Sequence, residues 1–312
     1  MGALTEKGRT LDLIERVPYR DAFLIGDLLT SRITILAGEP KSGKTLLAVG
    51  MATAMINGEP DFLGLPVHRK AERVVFGLTD DGAEEEIKER FRDAVPDAAV
   101  VVFPVERTGV SGYWGSVRDD LTDHGADLFV LDNVVGALAP GDDIAASPTA
   151  QRVVDNLKPI SRAGVPVLTV THTPKGSGEG FSVASAPIGG RAIAGGARGI
   201  IALRRSARDG RRVQTAINRA TQDLDLDVTV RRRASDSEVP VWAVRSVSPG
   251  PTADPDPWDE LVTRIVDDQP AADSLTRLGD LYADTTSWSP STIRQRLRGR
   301  VTHDTQRWVR AA

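Results

Sequence analysis

Read as a succession of apolar and polar positions, the chain first shows clear order at Ile33. Residues 33–37, Ile-Thr-Ile-Leu-Ala, are an apolar, β-branched run bounded by Gly38. That pattern predicts a strand buried on both faces of a parallel sheet. The run LLAVGMATAMIN that follows predicts a helix over 44–57, stopped at Gly58. Further apolar runs predict strands at 72–79, 127–132 and 165–171. The first of these leads into AEEEIKERF, a helix over 83–92 with acidic residues in its first turn. Residues 199–205 and 212–218 read as two strands joined by SARDGR, where Asp209-Gly210 is a hairpin signal, and 226–232 with 239–246 read as a second hairpin. Strands alternating with helices, then antiparallel strands, predict an α/β domain over 1–248: a mostly parallel sheet flanked by helices, with antiparallel C-terminal hairpins.

The pattern then changes. PGPTADPDP at 249–257 is a Pro/Asp-rich linker. Helical apolar spacing returns at 258–267 and 274–282. Ser289 and Pro290 then open a third helix in STIRQRLRGR, as N-cap and first helical residue. Three short helices and a final segment over 258–312 fit a small helical domain of winged-helix or helix-turn-helix type, with Trp258, Trp288 and Trp308 as its core. Arg294, Arg298 and Arg300 fall on or near one exposed face of the third helix, and residues 291–312 hold six Arg against one Asp. A basic third helix is the footprint of nucleic-acid contact, and a protein-docking bundle is the alternative.

Composition acts mainly by exclusion. The chain has 312 residues, a formal charge of −4 and no cysteine, which removes disulfides, thiolate zinc sites and a cysteine nucleophile. Its four histidines (68, 124, 172 and 303) are scattered and suggest no metal cluster. No apolar run is long enough for a membrane span and the N-terminus lacks an apolar leader, so a cytoplasmic protein without a membrane partner is expected. Of 39 basic residues only seven are lysines, and two of these, Lys41 and Lys44, lie in one eight-residue loop.

That loop carries the chemistry. Gly38-Glu39-Pro40-Lys41-Ser42-Gly43-Lys44-Thr45 is a GxxxxGKT phosphate loop, placed between a strand and a helix as the motif requires. Gly38 and Gly43 allow backbone angles that turn successive N–H groups toward phosphate oxygens, and the helix N-terminus adds a positive dipole end. Lys44 offers a charge to the β- and γ-phosphates, and Thr45 a hydroxyl to Mg²⁺. The strand at 127–132 ends in Asp132, a Walker B carboxylate for the same ion. Asp80, past the strand at 72–79, is placed to orient water on the γ-phosphate or to cap the next helix. His172, past the strand at 165–171, is a candidate γ-phosphate sensor. No NKxD guanine motif follows Walker B, so the expected cofactors are ATP and Mg²⁺.

The segments AGEPKSGKTLLA, FLGLPV, GLTDD, LFVLDNV, VTHTPK and GGRAIAGGARGIIALRR followed by INRA, in this order, resemble the RecA-like P-loop ATPases grouped around RepA, the hexameric replicative helicase of plasmids, with its phage and plasmid "AAA family ATPase" relatives. The resemblance covers about residues 18–220. It implies a RecA-like core in a homo-oligomeric ring, commonly a hexamer, with ATP between subunits. It makes Asp80 the base where relatives carry a glutamate, one methylene longer, and it puts a trans-acting arginine finger on Arg198, with Arg191, Arg204 and Arg205 as rivals. It also implies that 176–190 is a channel loop for single-stranded DNA, flanked by Lys175 and Arg191, with Phe181 able to stack on a base. Two functions follow from it: a DNA-dependent ATPase acting as helicase or translocase in replication or recombination, or an ATP-switched DNA-binding, assembly or loading factor without unwinding. A structure-specific nuclease lacks a carboxylate cluster outside the ATP site.

Overall fold

The computed structural model describes residues 8–106, 108–173, 182–188, 190–206, 210–232, 240–247, 257–284, 289–298, 301–304 and 307–310. The chain divides into two compact units, Met1–Gly250 and Pro251–Ala312.

The first unit is built on a nine-stranded sheet: β1 (Ile33–Gly38), β2 (Val74–Leu78), β3 (Val100–Pro104), β4 (Leu128–Asp132), β5 (Val167–His172), β6 (Gly199–Arg205), β7 (Arg211–Ile217), β8 (Asp225–Arg232) and β9 (Pro240–Val247). Its order is β9-β8-β7-β6-β1-β5-β4-β2-β3. The six strands from β3 to β6 in that row run parallel, and β7, β8 and β9 extend the sheet antiparallel. This is the RecA-like arrangement expected from the alternation of elements. Helices α1 (Lys44–Asn57), α2 (Ala83–Phe91), α3 (Tyr113–Asp123), α4 (Ser147–Arg162) and α5 (Gly190–Gly196) connect the parallel strands.

Period-two alternation sorts the side chains of β1 between two cores. Ile33, Ile35 and Ala37 pack with residues of α3, α4 and α5, while Leu36 packs with α1. Both faces of the sheet are therefore dry, which is why β1 reads as continuous apolar sequence. Helix α1 is buried almost all round. Trp242 of β9 lies over it and donates from Nε1 to the Leu46 carbonyl (3.3 Å). Gly50 is needed there, because a Cβ would sit 2.7 Å from the Trp242 ring.

Elements additional to those predicted include the edge strand β3 and helices α3, α4 and α5. Helix α4 begins at Ser147 with Pro148 in its first turn. FLGLPV is a tight two-stranded ribbon, Asp61–Phe62 with Leu65–Pro66.

The second unit contains α6 (Pro257–Asp268), α7 (Leu275–Ala283), α8 (Pro290–Leu297) and an antiparallel hairpin of β10 (Val301–Asp304) and β11 (Arg307–Arg310). Its core includes Trp258, Leu261, Ile265, Leu278, Ile293 and Trp308. Helix α8 ends at Leu297, so Arg298 is its C-cap rather than part of a longer helix. Trp288 and Arg300 lie outside the described residues.

Candidate functional site

Parallel strands place their C-terminal ends along one edge, and register fixes which ends meet. Gly38 pairs with His172 across β1 and β5, and Asp132 pairs with Leu78 across β4 and β2. The phosphate loop, Asp80, Asp132 and His172 therefore converge on one cleft of about 840 Å³, whose walls also include Asn133, Arg90 and Arg211.

The phosphate loop differs from the sequence reading in one respect. Gly43 takes φ +100°, and Lys41, not Gly38, takes the other left-handed angle at +60°. Gly38 is required for space: a Cβ there would meet the Leu203 carbonyl at 2.5 Å and Ser42 Oγ at 2.8 Å. Ser42 is buried, while Glu39 and Pro40 are exposed at the rim.

Lys44 folds onto its own loop. Its Nζ donates to the carbonyls of Gly38 (3.0 Å) and Glu39 (2.9 Å) and lies 3.4 Å from His172 Nδ1. Burial lowers the Lys44 pKa, and the Asp132 charge works against that shift. Thr45 Oγ1 donates to Asp132 Oδ2 at 2.6 Å. Burial raises the Asp132 pKa, against the Thr45 hydrogen bond and the Lys44 charge. Burial and then the Lys44 charge lower that of His172. A neutral His172 can accept from Lys44 at Nδ1, leaving its proton on Nε2. All three shifts have the same leading cause: a desolvated floor in which charges interact strongly.

Asp80 is held by a neighbour that sequence reasoning missed. Asn133 Nδ2 donates to Asp80 Oδ1 (3.2 Å), and the Asn133 amide N–H donates to Thr79 Oγ1 (3.0 Å). Asn133 Oδ1 in turn accepts from the Gly136 N–H (3.0 Å). The signal was its place directly after the Walker B carboxylate. Arg205 and Arg211 were also not read as loop contacts. They are cross-strand partners at the β6–β7 end, donating to the successive carbonyls of Lys41 (Nη2, 2.9 Å) and Ser42 (Nε, 2.7 Å).

The other candidates do not join this cleft. Arg198 is exposed at the start of β6, and its neighbour Gly199 pairs with Thr34 at the opposite end of β1 from the loop. There it lines a separate cavity with Arg32, Arg69 and Arg219. Arg191 falls in α5. Lys175, Phe181 and residues 176–180 and 189 of the channel-loop segment lie outside the described residues, as does Asp209. Arg294 and Arg298 belong to the second unit and are exposed.

A parallel sheet with a GxxxxGKT loop at one strand end and carboxylates at its neighbours' ends defines a P-loop nucleotide-binding protein. A family model described as an AAA domain matches residues 7–178, more than half of the chain, and the chain belongs to that family. Among solved structures, the ATPase domain of G40P is similar, with 14% identity and a TM-score of 0.49 over 64% of this chain and 81% of that one. No curated protein matches the chain in sequence. Among the described residues no helix is long and apolar enough to cross a membrane.

Proposed function

We propose that this chain is an ATP hydrolase that assembles into a RepA-like ring, hexameric by resemblance, and works on single-stranded DNA as a helicase or translocase in replication or recombination. The observation that carries the reading is the convergence of Lys44, Thr45, Asp80, Asp132 and His172 on one desolvated cleft. The Thr45 hydroxyl and Asp132 carboxylate are adjacent oxygen donors, which suits a hard cation. Mg²⁺ held there would supply charge neutralisation at the β- and γ-phosphates.

The chain's own steps follow from the geometry. Lys44 exchanges the carbonyls of Gly38 and Glu39 for phosphate oxygens. Asp80, oriented by Asn133, takes the proton of the attacking water. His172 presents Nε2–H toward the γ-phosphate and, through Nδ1, registers where Lys44 is. Arg198 lies at the opposite end of β1 from its own phosphate loop, which supports a role on the nucleotide of a second copy. Self-assembly is further supported by apolar side chains on the N-terminal segment, Leu11 (85% exposed), Leu13 (63%) and Ile14 (48%).

The test is ATP turnover with and without single-stranded DNA, on protein whose mass in solution is measured with ATP and Mg²⁺. Stimulated turnover by a ring supports the proposal. DNA-independent turnover with no DNA binding at low salt overturns it. Arg198→Ala is expected to keep ATP binding and lose hydrolysis, and a loss of DNA binding alone would remove Arg198 as the finger. The short Asp80 side chain, held by Asn133, favours one second reading, an ATP-switched assembly or loading factor. Slow, unstimulated turnover that still accompanies assembly would select it.

A further inference from the structure

The second unit segregates its charge. Residues 251–288 hold nine acidic residues and two arginines, whereas 289–312 hold six arginines and one aspartate. The two arginines of the acidic half have local partners: Arg264 pairs with Asp268 (3.4 Å) and lies over the Tyr282 ring, and Arg277 pairs with Asp273 (3.0 Å). Arg294, Arg296 and Arg298 are exposed, and their side chains have no hydrogen bond or ion pair among the described residues. Three like charges with no ion-pair partner among the described residues repel one another, and a polyanion would relieve that repulsion.

Their arrangement narrows the polyanion. Ile293 and Leu297 bury one face of α8. Ser291, Arg294, Gln295 and Arg298, at i, i+3, i+4 and i+7, form a stripe turned away from that face, and all four are exposed. These side-chain types can address base edges as well as phosphates. An α-helix with its side chains is about 10–12 Å across, which fits the roughly 12 Å width of the major groove. Helix α7 supports it closely: Gly279 leaves only enough room for the α8 backbone, since a Cβ there would meet the Pro290 carbonyl at 2.7 Å. The β10–β11 hairpin follows α8 at once, in the position of a wing beside a recognition helix. Single-strand binders need exposed aromatic platforms. The described aromatic side chains of this unit instead fill its core, with Trp258 8%, Tyr282 4% and Trp308 2% exposed, apart from His303.

We infer that the C-terminal unit binds duplex DNA, with α8 in the major groove and Arg294, Gln295 and Arg298 toward the bases and phosphates. This site is independent of nucleotide and separate from the single-strand activity proposed above.

The experiment is fluorescence anisotropy of the full chain, without ATP, on a labelled mixed-sequence duplex and on a single strand of equal length. The duplex is expected to bind without nucleotide, and the variants below should weaken it more than the single strand. Arg294→Ala with Arg298→Ala should weaken duplex binding at least about tenfold and flatten the log K against log salt slope by about 1.8, the share of two phosphate contacts. Arg294→Lys with Arg298→Lys should keep most of that slope, which separates loss of charge from loss of fold. Lys44→Ala should leave duplex binding intact even where turnover is lost, so this inference and the ATPase reading fail separately. No duplex binding at low salt, or a double alanine variant with unaffected duplex binding, would overturn it and turn the basic face toward an acidic protein.

Discussion

Arg205 and Arg211 offer the sharpest test of how the phosphate loop is held. Each donates to one of two successive loop carbonyls, Lys41 and Ser42, and the peptide units they grip carry the Ser42 and Gly43 N–H groups. The Ser42 N–H donates to the Glu39 carbonyl (3.2 Å), and the grip on the Ser42 carbonyl turns the Gly43 N–H away from the guanidinium. Lys41 pays for its left-handed φ with about 1 kcal/mol that this grip offsets. A hydrogen bond to a charged donor contributes about 1.5–3 kcal/mol. Arg205 is exposed, so about 1 kcal/mol is a fair share for it, and the half-buried Arg211 sits near 1.5 kcal/mol. At about 1.4 kcal/mol per decade, Arg211→Ala should weaken nucleotide binding about tenfold and Arg205→Ala about fivefold. The double variant should lose less than the product, because both residues order one loop. The assay is equilibrium binding of a fluorescent ATP analogue to protein diluted to monomer. Unchanged affinity in both variants, with turnover lost only in the assembled protein, would refute the reasoning and return Arg205 to a role on a neighbouring copy.

Other expectations follow from the same site. Asp80→Glu extends the carboxylate by one methylene and should raise turnover about tenfold or more at unchanged nucleotide affinity, read as kcat against KM. Asp132 has a raised pKa, so its contribution to stability is full below about 3.8 and is lost as pH rises through the higher folded value. Asp132→Asn should therefore raise the melting temperature of the nucleotide-free protein at neutral pH while abolishing Mg²⁺-dependent turnover, and a lowered melting temperature would contradict the burial argument. His172 has a lowered pKa, so its contribution is full above about 6.5 and is lost as pH falls through the lower folded value. The acid limb of the turnover profile assigned to it should lie below 6.5 and vanish in His172→Gln. Gly279→Ala gains about 1 kcal/mol of helix propensity but drives a Cβ against the Pro290 carbonyl, costing about 1–3 kcal/mol. Hydrogen exchange should speed up across 275–297 and stay unchanged in α1.

Sequence patterns resolve this protein unevenly, for physical reasons. β1 and α1 are legible to within a residue or two, because a dry strand, a glycine-flanked loop and a helix ended by Gly58 each carry their own local signal. β3 and α3 are not, since VVVFP is a half-buried edge strand and YWGSVRDDLTD buries only Val117 and Leu121. Loop chemistry was readable as composition but not as geometry. Gly38 looks like a residue needed for its backbone angle and is instead needed for the space taken by Leu203, 165 positions further along the chain.

The chain alone therefore determined the identity of the phosphate-binding groups. A GxxxxGKT loop, an apolar run ending in Asp132 and a capped, basic third helix are local patterns, and local physics makes each of them. Tertiary structure decided which of these meet. Strand register brings Asp132 against Thr45 and His172 against Lys44, and carries Asn133 to Asp80. The β6–β7 pairing sets Arg205 and Arg211 on the loop of their own chain while leaving Arg198 at the far end of the sheet. Such pairings join residues separated by tens to hundreds of positions, and they are settled by the burial of both sheet faces rather than by any preference of the residues themselves.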